Sequence, residues 1–272
     1  MVKREDIIKE LRNRGYDVEA HTSIKNGVEL NGICLRDGTE IGTVIYTDRI
    51  EKYSETLSTA AEEVLKVYND AGKIEIDLDI LKDALKDANY IMKNLYIGLQ
   101  KSSVENIVKS ETDFEGIEKY LYIRISGIGI CKLQRPLMEN LMIDENEAWK
   151  LGESHTFAET KVESFEDMLS EISGQDTGGL LDGVPTMYII TNNRKLLGAS
   201  AILDKFALKN LAGRCNANSF IVFPSSVNEM IAVPNDGKNN IDELNEMVRE
   251  INEDAVDPKE RLADRVYIIK AR

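Results

Sequence analysis

MYIITNNRKLLGASAILDKFALKNLAGRCNANSFIVFPSSVNEMIAV, residues 187–233, decides the fold. Met187–Thr191 is apolar and β-prone, and Asn192-Asn193-Arg194 is a turn signal, so Leu196–Leu203 reads as the returning strand of a hairpin. Asp204 is placed to cap a helix through Leu211, and Gly213 to end it. Phe220–Phe223 and Met230–Val233 are two further strands around the breaker Pro224-Ser225-Ser226. The spacing therefore predicts a ββαββ unit, a hairpin, a helix and a second hairpin.

Downstream, Asp242–Glu253 has a helical stripe of Leu244, Met247, Val248 and Ile251. Asp257-Pro258 reads as the start of a short helix, and Arg265–Lys270 as a last strand. Upstream, the glycines of Gly174–Pro185 predict a mobile loop or hinge. Glu163–Ile172 reads as an acidic helix, and Asp144 with Glu147 as a capping box opening another. Tyr120–Ser126 alternates as a strand, while Lys101–Gly116 reads as irregular. Leucines and methionines from Leu78 to Leu99 step by three and four, predicting one long helix capped by Asp77. At the start, a short helix over Glu5–Arg14 precedes a three-stranded meander turned by Asn26-Gly27 and Asp37-Gly38. A long helix from Asp48 to Gly72 then covers it.

The fold expected is α+β, with a largely antiparallel sheet built from hairpins and packed with helices, in two lobes. Four segments follow: residues 1–75, 76–138, 139–182 and 183–272. Charge separates them. The chain has 272 residues and a net charge of −14, and residues 139–182 carry twelve acids against two bases. Such a chain repels nucleic acid and anionic membranes and suits a basic protein surface. Cys34, Cys131 and Cys215 have neither metal spacing nor a disulfide framework, which fits reduced thiols in a cytoplasmic protein. No run is long and apolar enough to span a membrane.

Beyond these local patterns, several motifs resemble a known family. They are MYIITNNRKLLGASAIL (187–203), SFIVFPSSVNEMIAVP (219–234), ELNEMVREINEDAVDPKERLADRVYII (243–269), NGVELNGICLRDGTEIGTVIYTDRIEKY (26–53) and, more weakly, ENLMIDENEAWKLG (139–152). Together they resemble DUF5688, a bacterial family of unknown function common in anaerobic gut bacteria. That resemblance implies no activity, cofactor or catalytic residue.

Two groups of residues are candidate sites. Ser225, Ser226, Asn228 and Glu229 concentrate hydroxyls, an amide and a carboxylate at one turn. A serine nucleophile there needs a base and an oxyanion hole, and neither stands beside it in sequence; the same side chains also suit a turn held by its own hydrogen bonds. Glu159, Glu163, Glu166 and Asp167 form the candidate partner surface. The two histidines, His21 and His155, are too few for a His-rich metal site, and no phosphate-binding glycine motif occurs. The expectation is a non-enzymatic binding or regulatory protein without metal or cofactor, acting through its acidic surface. The alternatives are an acidic nucleic-acid mimic from a mobile element, and a hydrolase-like enzyme with its site at Pro224–Glu229.

Overall fold

The computed structural model describes residues 2–36, 38, 42–70, 78–174 and 186–270. Among them are ten α-helices, one 3-10 helix and three sheets in which every strand pair is antiparallel, an α+β fold. The chain divides into two compact units, Met1–Ile76 and Asp77–Arg272.

The first unit begins with helix α1 (Arg4–Asn13), which buries Ile7, Ile8 and Leu11. Strands β1 (Asp17–Lys25), β2 (Val28–Arg36) and β3 (Thr43–Tyr46) form the expected meander. Asn26 and Gly27 connect β1 to β2 with φ of 50° and 74°, so both adopt the left-handed backbone that a two-residue hairpin turn requires. The single helix expected from Asp48 is instead two, α2 (Asp48–Tyr53) and α3 (Leu57–Asp70). Ser54 is extended between them, and Thr56 and Thr59 exchange backbone N–H and hydroxyl bonds of 3.1 Å that start α3 afresh. Asp48 is already helical, and Thr47, at the position before it, donates its hydroxyl to Glu51 Oε1 at 2.6 Å.

The second unit opens with α4 (Leu78–Lys86) and α5 (Ala88–Lys93), followed by strand β4 (Leu95–Lys101). The long helix expected over 78–99 is thus overturned. Asp87 accepts from Asn89 N and restarts the chain as α5, and Leu95, Ile97 and Leu99 alternate on one face of a strand. Leucines at 95 and 99 satisfy a helical and a strand spacing alike, so periodicity could not separate them. Asp77 and the loop 175–185 lie outside the described residues; Gly174 itself closes a helix in the left-handed conformation, with φ 64°.

Strands β5 (Lys109–Glu111), β6 (Ile117–Ile125) and β7 (Gly129–Lys132) complete a four-stranded sheet, with β6 between β4 on one side and β5 and β7 on the other. Helices α6 (Arg135–Asn140) and α7 (Glu145–Ala158) follow, and Asp144 caps α7 by accepting from Glu147 N at 2.8 Å, as the capping box predicts. Thr156 of α7 accepts from Ile97 N at 2.8 Å, and His155 Nδ1 meets Leu95 O at 2.9 Å. The helix thereby satisfies the outer backbone groups of β4, a sheet edge that would otherwise remain unpaired.

The five-stranded sheet has the order β12-β10-β11-β9-β8 and comprises β8 (Thr160–Ser164), β9 (Tyr188–Asn192), β10 (Ser219–Ser226), β11 (Glu229–Pro234) and β12 (Tyr267–Lys270). Glu163 is in β8, and the acidic helix starts only at α8 (Phe165–Ser173), capped by Ser164. The segment 139–182 therefore contributes a strand as well as helices. A second correction falls in the deciding stretch. Leu196–Leu203 is not a strand: Gly198–Leu203 is a 3-10 helix. A Cβ on Gly198 would stand 2.4 Å from Thr191 Oγ1 and 2.6 Å from Asn228 O, so this segment lies closer to its neighbours than a side chain permits. The ββαββ pattern is thus β9, the 3-10 helix, α9 (Lys205–Cys215), β10 and β11. Asp204 caps α9 by accepting from Phe206 N and Ala207 N, and Asn216 rather than Gly213 ends it.

Helix α10 (Ile241–Ala255) buries Val248 and Asn252. No short helix follows Asp257-Pro258; Asp257 Oδ1 accepts from Lys259 N and Asp257 O from Glu260 N, which closes a turn there. The three thiols are free, with Cys34 buried. No helix among the described residues is long and apolar enough to cross a membrane.

Candidate functional site

The Pro224–Glu229 turn is closed upon itself. Ser225 and Ser226 both donate to Glu229 Oε1, at 3.1 and 3.2 Å, and Ser226 Oγ accepts from Asn228 N at 3.0 Å. Asn228 accepts from Leu197 N through its side chain and from Thr191 Oγ1 through its carbonyl. Val227 N donates to Glu260 O at 2.9 Å. The structure thus brings Ser225, Ser226, Asn228 and Glu229 together, with their polar atoms bonded to one another and to the segment that carries Gly198. Neither histidine partners these serines: His155 is at the β4 edge, tilted against Tyr96, and His21 lies in β1, opposite Gly32.

The four acids of the candidate partner surface are not equivalent. Glu159 is held by both oxygens to Arg124 Nη1, at 2.7 and 2.8 Å. That guanidinium also lies 3.4 Å from the centre of the Tyr96 ring and donates to Tyr122 OH. Glu163 pairs with Lys161. Glu166 and Asp167 occupy the first turn of α8, where carboxylates complement the helix dipole.

The acids that stand out most are on α10. Asp242, Glu246, Glu250 and Asp254 are exposed, four residues apart, so they form one row with steps of about 6 Å along the helix. Their carboxylates have no hydrogen bond or ion pair among the described residues. Beside the row, Met247 and Ile251 are 39% and 50% exposed. Their spacing gave them to the core in sequence. Val248 of the same stripe is buried as expected, and the other buried position is Asn252, whose amide donates to Ala263 O and Asp264 Oδ1.

Sequence also gave no hint of a polar network on the four-stranded sheet. Gln100, 2% exposed, donates to Glu118 at 2.7 Å and Glu105 at 2.9 Å. Ser103 and Lys109 also bond Glu118, and Lys132 reaches Gln100 Oε1 and Glu105. Burial raises the Glu118 carboxyl, but bonds from Gln100, Ser103 and Lys109 outweigh it and hold the group below its ordinary value. The beneath-lying Tyr120 hydroxyl is pushed well up by burial, with Tyr122 and Glu105 adding to the effect. The network has two acids and two lysines, all bonded, which describes a structural lock rather than a reacting centre.

A cavity of about 890 Å³ in the second unit opens between residues 113–115, α9 and β12. Its far wall is fixed: Tyr267 OH donates to Glu115 O at 2.6 Å, Arg265 pairs with Glu115 at 2.7 Å, and the Phe114 and Tyr267 rings meet edge to face. Burial raises the Tyr267 hydroxyl, an effect Arg265 opposes. Among the described residues no group of three His, Cys, Asp or Glu side chains is placed to hold a metal ion.

Compared with known proteins, residues 2–270 match the model of DUF5688, described as a family of unknown function. No curated protein and no solved structure matches the chain.

Proposed function

Because the chain belongs to DUF5688, whose description assigns no activity, we propose from the geometry that it is a non-enzymatic binding protein whose acidic face receives a basic partner. The observation that supports this reading is the outer face of α10. The row Asp242, Glu246, Glu250 and Asp254 lies beside exposed Met247 and Ile251. Like charges four residues apart destabilise a helix by a few tenths of a kcal/mol per pair, and Met247 and Ile251 leave part of their apolar surface in water. A partner with lysines or arginines around an apolar contact offsets both. Glu166 and Asp167 form a separate acidic turn at the start of α8, and Glu159 and Glu163 pair with Arg124 and Lys161.

The test is affinity capture from a lysate of the native host, followed by mass spectrometry. Wild type should retain one or more basic proteins, and Glu246→Lys/Glu250→Lys should lose them while retaining its circular dichroism. Met247→Ser/Ile251→Ser should weaken the same capture with less salt dependence. An identical set of proteins on all three baits would remove this reading.

A second reading, mimicry of nucleic acid, draws on the regular step of the same row. It expects captured proteins to be nucleic-acid-binding and to be displaced by duplex DNA. Capture that DNA leaves unchanged favours the first reading.

A further inference from the structure

The cavity beside β12 runs against the charge of the molecule. In a chain of net charge −14, it is lined by Lys205, Lys209, Arg265 and Lys270 against Asp113 and Glu115. Arg265 is paired with Glu115. The ammonium groups of Lys205, Lys209 and Lys270 have no hydrogen bond or ion pair among the described residues. Two of these lysines, Lys205 and Lys209, are four residues apart on α9, where their repulsion costs the helix a few tenths of a kcal/mol. The abundant carboxylates elsewhere leave them unneutralised. Between these cations the lining is apolar, with Phe114, Ile202, Leu208 and Ile269. Leu208 and Ile202 are buried, and Phe114 is fixed by its edge contact with Tyr267. The volume of about 890 Å³ is within the range of small-molecule sites, roughly 300–1,000 Å³.

We propose that this cavity binds a small organic anion, whose apolar body lies on Phe114, Leu208 and Ile269 and whose phosphate or carboxylate is held by Lys205, Lys209 and Lys270. A purely apolar ligand would leave the three lysines without a counter-charge. A bare inorganic anion would forgo the apolar floor. A cationic ligand would face the larger number of like charges, with Asp113 as the one unpaired acid in the lining. This site is separate in residues from the face of α10, so either proposal can fail while the other stands.

The test is titration calorimetry on the full chain with four probes: 1-naphthyl phosphate, 1-naphthoate, inorganic phosphate and 1-naphthol. Saturable binding of at least one naphthyl anion is expected, at least tenfold tighter than naphthol and inorganic phosphate. A preference for the phosphate ester identifies a phosphorylated ligand, and a preference for naphthoate a carboxylate. Lys205→Gln/Lys209→Gln/Lys270→Gln should weaken the anion at least tenfold and leave naphthol unchanged. Lys195→Gln, an exposed lysine outside the lining, should alter neither. Since all three lysines are exposed, the triple variant should keep the wild-type circular dichroism and melting curve. No saturable binding to wild type, naphthol binding as tightly as its anions, or a triple variant that binds like wild type would each overturn the proposal.

Discussion

Glu118 sits 6% exposed beneath a loop, and its carboxylate is stabilised by Gln100, Ser103 and Lys109. Its folded-state pKa lies below the ordinary value of 4.5, so its contribution to stability is present above that value and disappears as the pH falls through the folded one. Glu118→Leu would remove one acceptor from buried Gln100 and from half-buried Lys109, which keep Glu105 and Ser103, at a cost of about 1–3 kcal/mol in urea denaturation. Glu118→Gln should cost less and should flatten the loss of stability below pH 4.5; a slope equal to wild type would show that Glu118 does not titrate with folding. Two glycines give a second contrast at this scale. Gly198 has no room for a methyl group against Thr191, Asn228 and Asn192, and two of those contacts are backbone atoms. Gly198→Ala should therefore destabilise by roughly 2–3 kcal/mol. Gly213, inside α9, has open space around it, and Gly213→Ala should stabilise by about 0.5–1 kcal/mol. Equal thermal shifts for the two variants would contradict this reading.

Between residue and whole molecule, α7 covers the edge of β4 through one hydroxyl and one imidazole. Replacing Thr156 by Val keeps the shape but orphans Ile97 N, which is buried, so Thr156→Val should cost about 1–3 kcal/mol and selectively raise hydrogen exchange at Ile97. Unchanged exchange at that amide would show that the edge does not need the helix. The elements most legible in sequence are those specified by local chemistry: the Asn26-Gly27 hairpin, and the caps at Asp144 and Asp204. Those misread were decided by distant contacts. Leu95–Lys101 pairs with β6, Leu95 with Ile123 and Lys101 with Ile117, and its leucines fit either period. Gly198–Leu203 is shaped by the Asn228 carbonyl, thirty residues away. The candidate site divides in the same way. The Ser225–Glu229 cluster was legible because its partners are neighbours in sequence. The lysine-lined cavity was not, because Lys205, Lys209 and Lys270 come from α9 and the last strand, and only the fold brings them together with Phe114. On α10 the helix and its inward Val248 were evident, yet Met247 and Ile251 were given to the core while Asn252, a polar residue that hydropathy assigns to water, is the one buried beside Val248.

For the molecule as a whole, excess negative charge and paired carboxylates pull the pH dependence of stability in opposite directions. At pH 7 the net charge of −14 makes the compact state repel itself. The three like-charge steps along Asp242, Glu246, Glu250 and Asp254 alone account for about 1 kcal/mol, at roughly 0.2–0.5 kcal/mol each. Lowering the pH towards the isoelectric point of about 4.8 removes this repulsion. Below that, carboxyls held below their ordinary values by partners, Glu118 within its network and Glu145 beside Arg135, are forced to protonate and stability falls. The urea midpoint at low ionic strength should therefore pass through a maximum near pH 5 and decline on both sides. Added sodium chloride should raise the midpoint at pH 7, where repulsion between exposed carboxylates is screened, and change it little at pH 5, where the net charge is near zero. Dilute-protein urea titrations at pH 3.5, 5 and 7, each with and without 0.3 M salt (about a 5–6 Å screening length), would check both statements. A midpoint that rises steadily from pH 3.5 to 7, or that salt lowers at pH 7, would mean that internal ion pairs such as Arg124–Glu159 outweigh the repulsion of the acidic surface.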